Sequence, residues 1–183
     1  MVNAKSSAQE PEQEAFVITR TFNAPRELVW KVCTEPAHMQ HWMGPKRAGP
    51  AAATDSSLHV AKMEFRVGGT YHYCMKMGPG EMWGKVVYRE IVPPERIVYI
   101  QSFSNEKGEV TTHPMSPTWP REMLSTFQFT EQSGKTTLTI TWTPFNATET
   151  ERQTFDGGRK SMHGGWTGSL DNLTEYLAGL KAS

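Results

Sequence analysis

Alternating apolar and polar residues dominate the chain after residue 57 and predict a β-sheet. A segment rich in Gly, Pro, Ala and Ser over residues 44–57 predicts a loop before it. Six runs rich in β-branched and aromatic residues follow, and turn sequences such as Gly-Gly, Pro-Pro and Ser-Gly separate most of them. Short turns of this kind are typical of an antiparallel sheet. The six runs are VAKMEFRV (60–67), TYHYCMKM (70–77), MWGKVVYREIV (82–92), RIVYIQSF (96–103), EMLSTFQFT (122–130) and KTTLTITWTPF (135–145).

The parity of each run predicts which side chains face the interior. In the run from residue 70, tyrosines and methionines share one parity, while His72, Cys74 and Lys76 share the other. Both parities of RIVYIQSF are partly apolar, so its buried face stays open. The predicted inward side chains are Tyr71, Tyr73, Met75, Met77, Gly84, Val86, Tyr88, Phe127, Phe129, Leu138, Ile140 and Trp142.

One strand and two short helices are predicted before the sheet. The run AFVITRTF, residues 15–22, is rich in β-formers. Pro25 suits a first helical position, and apolar residues recur at helical spacing over residues 28–33. A second short helix is expected to carry Met39 and Trp42 toward the core.

A long C-terminal helix completes the predicted architecture. Thr148 stands three residues before Glu151, which is the spacing of a capping box at a helix start. An apolar stripe then recurs at intervals of three or four residues, as expected for a helix lying against a sheet. The fold class is therefore α+β. The stripe consists of Met162, Trp166, Leu170, Leu173, Leu177 and Leu180.

Glycines are unusually frequent in the first half of this helical region. Each glycine inside a helix costs about 1 kcal/mol relative to alanine, so something must offset the cost. One explanation is a break in the helix followed by close contact with the sheet. The other is that the missing side chains leave room for a ligand between helix and sheet. The sequence favours neither for Gly157, Gly158, Gly164, Gly165 and Gly168.

Composition excludes several classes of partner and site. The formal net charge is zero and the basic residues are spread along the chain, so we expect neither a nucleic-acid-binding nor a membrane-binding surface. Cys33 and Cys74 lie in separate apolar runs, which favours buried thiols and a cytoplasmic protein. Residues 1–14 are polar and predict a disordered tail, leaving one domain over residues 15–183.

Motifs for metal or cofactor chemistry are weak. His38 and His41 are three residues apart, but no third ligand follows at a metal-binding spacing. The Gly-rich segment from residue 80 lacks the residues that a phosphate-binding loop requires, and the chain has no G-x-S-x-G nucleophile motif. We therefore expect no metal and no cofactor.

Six short motifs together resemble a known family. The chain is similar to the START-like, SRPBCC-type superfamily, in the branch homologous to the activator of the Hsp90 ATPase. Met43 is a departure, because the family often has a second Trp there. The motifs are FNAPRELVW (22–30), HWMGPK (41–46), RVGGTY (66–71), PPERIV (93–98), HPMSPTWPREM (113–123) and GGWTGSLDNLTEYL (164–177).

The resemblance implies a helix-grip fold, also called START-like or Bet v 1-like, in which a curved antiparallel sheet wraps around the long helix and leaves a cavity. Aromatic and Met side chains give adaptable apolar contacts in such cavities, and Tyr hydroxyls orient the ligand. Each candidate has the alternative of simply filling the core. The predicted cavity residues are Trp42, Tyr71, Tyr73, Met75, Tyr88, Phe127, Trp142, Met162, Trp166 and Leu170.

The loop HPMSPTWP, residues 113–120, combines three prolines with apolar side chains. Prolines lower the entropy lost on ordering a loop, and Met115 and Trp119 offer apolar surface. One hypothesis is a semi-rigid lid at the cavity mouth formed by these two residues. The alternative is a small cluster packed on the sheet edge, with the prolines protecting that edge from aggregation.

Three functions remain open at this point. The leading hypothesis is binding of a small hydrophobic or aromatic molecule in the cavity. The second is an enzyme of the cyclase, dehydratase or hydrolase type, for which Glu64, Arg66, Tyr73 or Glu90 would have to face inward. The third, suggested by the family resemblance, is an interaction module for an Hsp90-type chaperone, although such co-chaperones generally depend on a second domain.

Overall fold

A computed structural model describes residues 14–45, 56–77 and 79–181. The predicted tail before residue 14, and the predicted loop between residues 46 and 55, lie outside these ranges.

Eight strands and four helices make up the described chain. The strands are β1 (Phe16–Phe22), β2 (Ser56–Met63), β3 (Thr70–Met77), β4 (Gly80–Val92), β5 (Arg96–Ser104), β6 (Val110–Thr111), β7 (Glu122–Gln132) and β8 (Lys135–Phe145). The helices are α1 (Arg26–Thr34), α2 (Pro36–Met39), α3 (Glu149–Gly157) and α4 (Arg159–Lys181).

All strands belong to one antiparallel sheet with the order β1-β8-β7-β5-β4-β3-β2, and the short β6 pairs with β5. Helix α4 packs its apolar stripe on the inner face of the sheet, where Leu170 and Leu173 are fully buried. This is the helix-grip architecture that the sequence predicted.

The start of α3 has the predicted capping box. The hydroxyl of Thr148 accepts a hydrogen bond from the backbone N–H of Glu151, and the Glu151 carboxylate accepts one from the backbone N–H of Thr148. Helix α3 ends at Gly157, and α4 begins two residues later. The break proposed for this glycine pair is therefore confirmed.

The strand predicted over residues 60–67 was placed too late. Strand β2 ends at Met63, and the next residues form a tight turn in which Gly68 has a positive φ of 76°. A Cβ on Gly69 would lie 2.1 Å from the carbonyl oxygen of Glu64, so the turn requires glycine there. The β-forming residues at 65–67 misled the prediction, because Phe65 packs from the turn onto Tyr88.

The parity predictions hold for the described side chains of the sheet, with one refinement on its outer face. The prediction for Met77 concerns a side chain outside that description. Tyr71 is buried on the inner face, as expected. On the outer face His72 and Cys74 are also buried, at 8% and 1% exposure. The Trp83 ring lies 4.9 Å from the His72 ring. The Nε2 atom of His72 lies 3.1 Å from the carbonyl oxygen of Asn105. The turn after β5 therefore covers this part of the outer face.

Both cysteines are free and buried, as predicted. No helix in the described ranges is long and apolar enough to span a membrane.

Candidate functional site

An apolar cavity of about 400 Å³ lies between α4 and the inner face of the sheet. Its volume falls in the range of roughly 300–1,000 Å³ that is usual for small-molecule sites. Nine of the ten side chains predicted for the cavity line it, whereas Leu170 is buried in the core beside it. The nine are Trp42, Tyr71, Tyr73, Met75, Tyr88, Phe127, Trp142, Met162 and Trp166.

The sheet contributes a floor of tyrosines. The rings of Tyr71 and Tyr73 stack at 4.8 Å on β3. Across the strand pair, Tyr73 stands opposite Gly84 on β4. A Cβ on Gly84 would lie 2.4 Å from the Tyr73 ring, so the glycine provides the space in which that ring lies.

Two tryptophans close the cavity at its β8 and α4 side. The rings of Trp142 and Trp166 meet edge to face at 5.3 Å, and Trp166 also meets Phe127 edge to face at 5.8 Å. Both indole nitrogens are buried without a hydrogen-bond partner. These rings are packed against each other and still leave the cavity volume beside them.

Trp42 lies in the segment that follows α2 and is held by a hydrogen bond to α1. It is only 1% exposed, and its indole N–H donates a hydrogen bond of 2.9 Å to the carbonyl oxygen of Val32 on α1. The Trp42 side chain is thus a fixed part of the cavity wall. This agrees with the prediction that the segment carries Trp42 toward the core.

Two side chains of α4 form hydrogen bonds with the backbone of residues 44 and 45. The hydroxyl of Ser169 donates to the carbonyl oxygen of Gly44 at 2.8 Å, and the Asn172 amide donates to that of Pro45 at 2.9 Å. Exposed lining residues show where the cavity reaches solvent: they are Pro45, Phe65, Arg121 and Gly165.

The glycines at the α3–α4 junction and in the first half of α4 have different roles. A Cβ on Gly158 would lie 2.6 Å from the Trp119 ring, so this glycine allows close packing at the α3–α4 junction. Gly164 and Gly165 have open space where a Cβ would stand, which argues against close sheet contact at these two positions. Of the two, Gly165 lines the cavity. Its missing side chain therefore adds to the cavity mouth.

A thiol and two phenol groups on the lining are held uncharged by burial. Burial raises the pKa of the Cys33 thiol well above its usual range, and burial raises the pKa of Tyr73 to about 12. Burial likewise raises the pKa of Tyr88. At neutral pH these groups are a thiol and phenols, and they offer hydrogen-bond donors rather than charges.

The carboxylates considered for acid–base catalysis do not line the cavity. Glu64 forms an ion pair of 3.2 Å with Lys62 and one of 3.8 Å with Arg66, and Glu90 pairs with Arg96. In the described part of the chain the lining includes neither a carboxylate nor an imidazole, and Arg121 is its only charged side chain.

The loop HPMSPTWP lies beside the cavity. Trp119 packs its ring 5.8 Å from that of Phe155 at the end of α3, and the Thr154 hydroxyl donates to that of Thr118 at 3.0 Å. Met115 is 83% exposed. Within the described ranges the lining takes Pro120 from this loop, and neither Met115 nor Trp119. The lid remains a prediction, whereas the packing of Trp119 is a structural fact.

His38 and His41, considered as metal ligands, meet Tyr176 on α4. The Nδ1 atom of His38 lies 2.7 Å from the Tyr176 hydroxyl oxygen, and the ring of His41 stacks on Tyr176 at 4.7 Å. No group of three or more His, Cys, Asp or Glu side chains suited to a metal occurs among the described residues.

Several lining residues were missed from the sequence. Tyr99 faces Tyr88 across the β4–β5 pair, but both parities of its run are apolar, so the pattern did not select it. Met82 and Met123 have the inward parity of their strands and could have been found by extending the alternation toward the strand starts. Cys33 lay on the predicted apolar face of α1, and sequence alone did not assign that face to the cavity.

Comparisons with known proteins agree with this geometry. A sequence model of the family described as "Activator of Hsp90 ATPase homolog 1-like protein" matches residues 23–178. No curated protein sequence matches the chain significantly.

Solved structures share the fold. A protein from Staphylococcus epidermidis is 26% identical, with a TM-score of 0.68 and 94% of each chain covered. A protein from Mycobacterium smegmatis is 21% identical, with a TM-score of 0.69, covering 90% of this chain and 91% of its own. A protein from Rhodobacter sphaeroides is 17% identical, with a TM-score of 0.70, covering 93% of this chain and 97% of its own.

Proposed function

The chain belongs to the activator of Hsp90 ATPase homolog 1-like family, and on that premise we propose that it binds a small hydrophobic or aromatic molecule in the cavity between α4 and the sheet. The observation that carries the proposal is the cavity itself, about 400 Å³ of space lined mainly by aromatic and Met side chains. Sites for small apolar ligands have this composition.

The chemistry of the lining supports binding over catalysis. General acid–base catalysis at neutral pH needs a group that changes its protonation near that pH. The described lining offers instead a thiol and tyrosines whose pKa values burial raises. A cyclase, dehydratase or hydrolase would need a base that these residues do not supply.

An Hsp90-type chaperone is the partner that the family description suggests. We favour a small molecule over the chaperone as the partner, because a small ligand can fill the cavity directly. A pull-down with Hsp90 separates the two partners: retention of Hsp90 on the immobilised protein would favour the chaperone, whereas its absence together with ligand binding would support our proposal. We further propose that the protein acts in the cytoplasm, in keeping with its two free, buried cysteines.

The direct test is equilibrium dialysis with fluorene, a planar hydrocarbon without polar groups. We expect saturable binding at one site per chain, because a preformed apolar cavity gains the energy of removing the ligand from water. Absence of saturable binding would refute the proposal.

A further inference from the structure

Four tyrosines from three neighbouring strands form one cluster on the cavity floor, which we call the tyrosine site. Tyr71 and Tyr73 come from β3, Tyr88 from β4 and Tyr99 from β5, and all four line the cavity. Tyr88 and Tyr99 are paired across the strands, with ring centroids 6.4 Å apart. Four hydroxyl-bearing side chains are therefore clustered on a cavity that is lined mainly by apolar side chains.

Three of the four hydroxyl groups of this site, those of Tyr71, Tyr73 and Tyr88, make no hydrogen bond within the described residues. The Tyr71 hydroxyl oxygen is buried without a hydrogen-bond partner. Within the described residues, no hydrogen bond joins any two of the four, and none is made by the hydroxyls of Tyr73 and Tyr88. Tyr99 lies beside the hydroxyl of Ser125. A buried donor without an acceptor is costly, and an acceptor on a bound molecule would remove that cost.

The four hydroxyls remain protonated at neutral pH. Burial raises the pKa of Tyr71 well above its usual range, and negative charge on Tyr73, Tyr88 or Tyr99 would raise it further. A phenol that stays protonated always has a hydrogen to donate.

The surrounding groups do not supply the missing acceptor in the described part of the structure. Gln101, Ser102 and Ser169 also line the cavity, but none of them is hydrogen-bonded to Tyr71, Tyr73 or Tyr88. Strand backbone carbonyls are engaged in the sheet ladder, and the described lining holds no carboxylate. An anionic ligand would need a positive charge to offset its desolvation, yet Arg121, the one charged lining residue described, is exposed. An uncharged oxygen acceptor on the ligand meets both conditions.

We propose that the tyrosine site binds an uncharged carbonyl oxygen carried by an aromatic ligand, with Tyr73 and Tyr88 as the principal donors. This inference rests on the proposed function, since it names the chemical class of the molecule that the cavity holds. It separates aromatic ketones and related carbonyl compounds from hydrocarbons of the same shape.

The test compares fluorene with 9-fluorenone, which share one planar frame and differ by a single carbonyl group. Equilibrium dialysis is expected to give a dissociation constant about tenfold lower for 9-fluorenone with the wild-type protein, equivalent to about 1.4 kcal/mol. In Tyr73→Phe and Tyr88→Phe, and most fully in the double variant, this preference should disappear while fluorene affinity is retained. Tyr176→Phe is the matched control: it removes a tyrosine hydroxyl that lies at His38 and outside the described cavity lining, and it should keep the preference.

The outcomes separate the two proposals. Equal affinity of the wild type for both compounds, or a preference that survives in the double variant, would overturn the tyrosine site and leave hydrocarbon binding intact. If neither compound binds the wild-type protein, the proposed function and the inference resting on it both fail. Thermal unfolding of each variant checks that the fold is retained, and the substitutions keep the rings that pack the cavity floor.

Discussion

Gly165 offers a perturbation in which stability and binding should move in opposite directions. It lies in the first half of α4 and lines the cavity, and no atom from outside the adjacent backbone of its own helix lies within 4 Å of the position that its Cβ would take. Replacing this glycine by leucine removes a helix penalty, so Gly165→Leu should raise the free energy of unfolding by about 0.8 kcal/mol. The new isobutyl group would at the same time occupy the mouth of the cavity.

The loss of affinity follows from the contact that a ligand gives up. If the leucine side chain displaces ligand surface equivalent to two methylene groups, the ligand loses about 1.6 kcal/mol of transfer free energy. This loss raises the dissociation constant more than tenfold. Gly164 is the matched control, because it is an exposed helix glycine with the same open space but no place on the lining. Gly164→Leu should therefore gain the same stability and bind normally.

Urea unfolding and equilibrium dialysis with fluorene measure the two effects separately. Stabilisation by both variants together with weakened binding in Gly165→Leu alone is the expected pattern. Unchanged fluorene affinity in Gly165→Leu would refute the view that α4 forms the cavity mouth at this residue. Destabilisation by both variants would refute the view that these glycines face open space.

Three further predictions address the wall, the loop and the ionisable groups. Gly84→Ala should displace the Tyr73 ring, lower stability by about 1–3 kcal/mol as overpacked cores do and alter ligand affinity, which unfolding and dialysis will show. Trp119→Ala should cost about 2 kcal/mol, less than for a fully buried Trp, because the ring packs on Phe155; a faster ligand release with unchanged stability would instead support the lid. The contribution of the buried Cys33 and tyrosines to stability should be fully present below their unfolded pKa values, about 8.5 for Cys33 and about 10 for tyrosine. It should be lost as pH rises above these values, because burial raises the folded pKa values of the same groups. A urea midpoint that does not change between pH 8 and about 10.5 would contradict this.

The sequence was informative about the fold because two periodicities were strong. Alternation placed Tyr71 and Ile140 on the inner face, and the spacing of Leu170, Leu173 and Leu177 placed the stripe of α4 against it. Both patterns reflect burial on a single face, which is the information that a linear sequence carries well.

Features set by contacts between distant segments were not predictable in the same way. The turn after β2 contains β-forming residues, and only the close approach of Gly69 to the carbonyl of Glu64 explains why the strand ends before it. The position of Trp119 depends on Gly158, which is distant in sequence. Tyr99 joined the cavity through its pairing with Tyr88, which its own run did not reveal.

The methionine methyl groups provide the most direct measurement of the central claim. Among the described residues, six methionines line the cavity, namely Met39, Met43, Met75, Met82, Met123 and Met162. Met115, by contrast, is 83% exposed. In a ¹³C-methyl NMR titration with fluorene, the account predicts ring-current shifts for cavity methionines and an unchanged signal for Met115. Saturation without any shift of the cavity methyl groups, or shifts confined to Met115, would contradict the claim that this cavity holds the ligand.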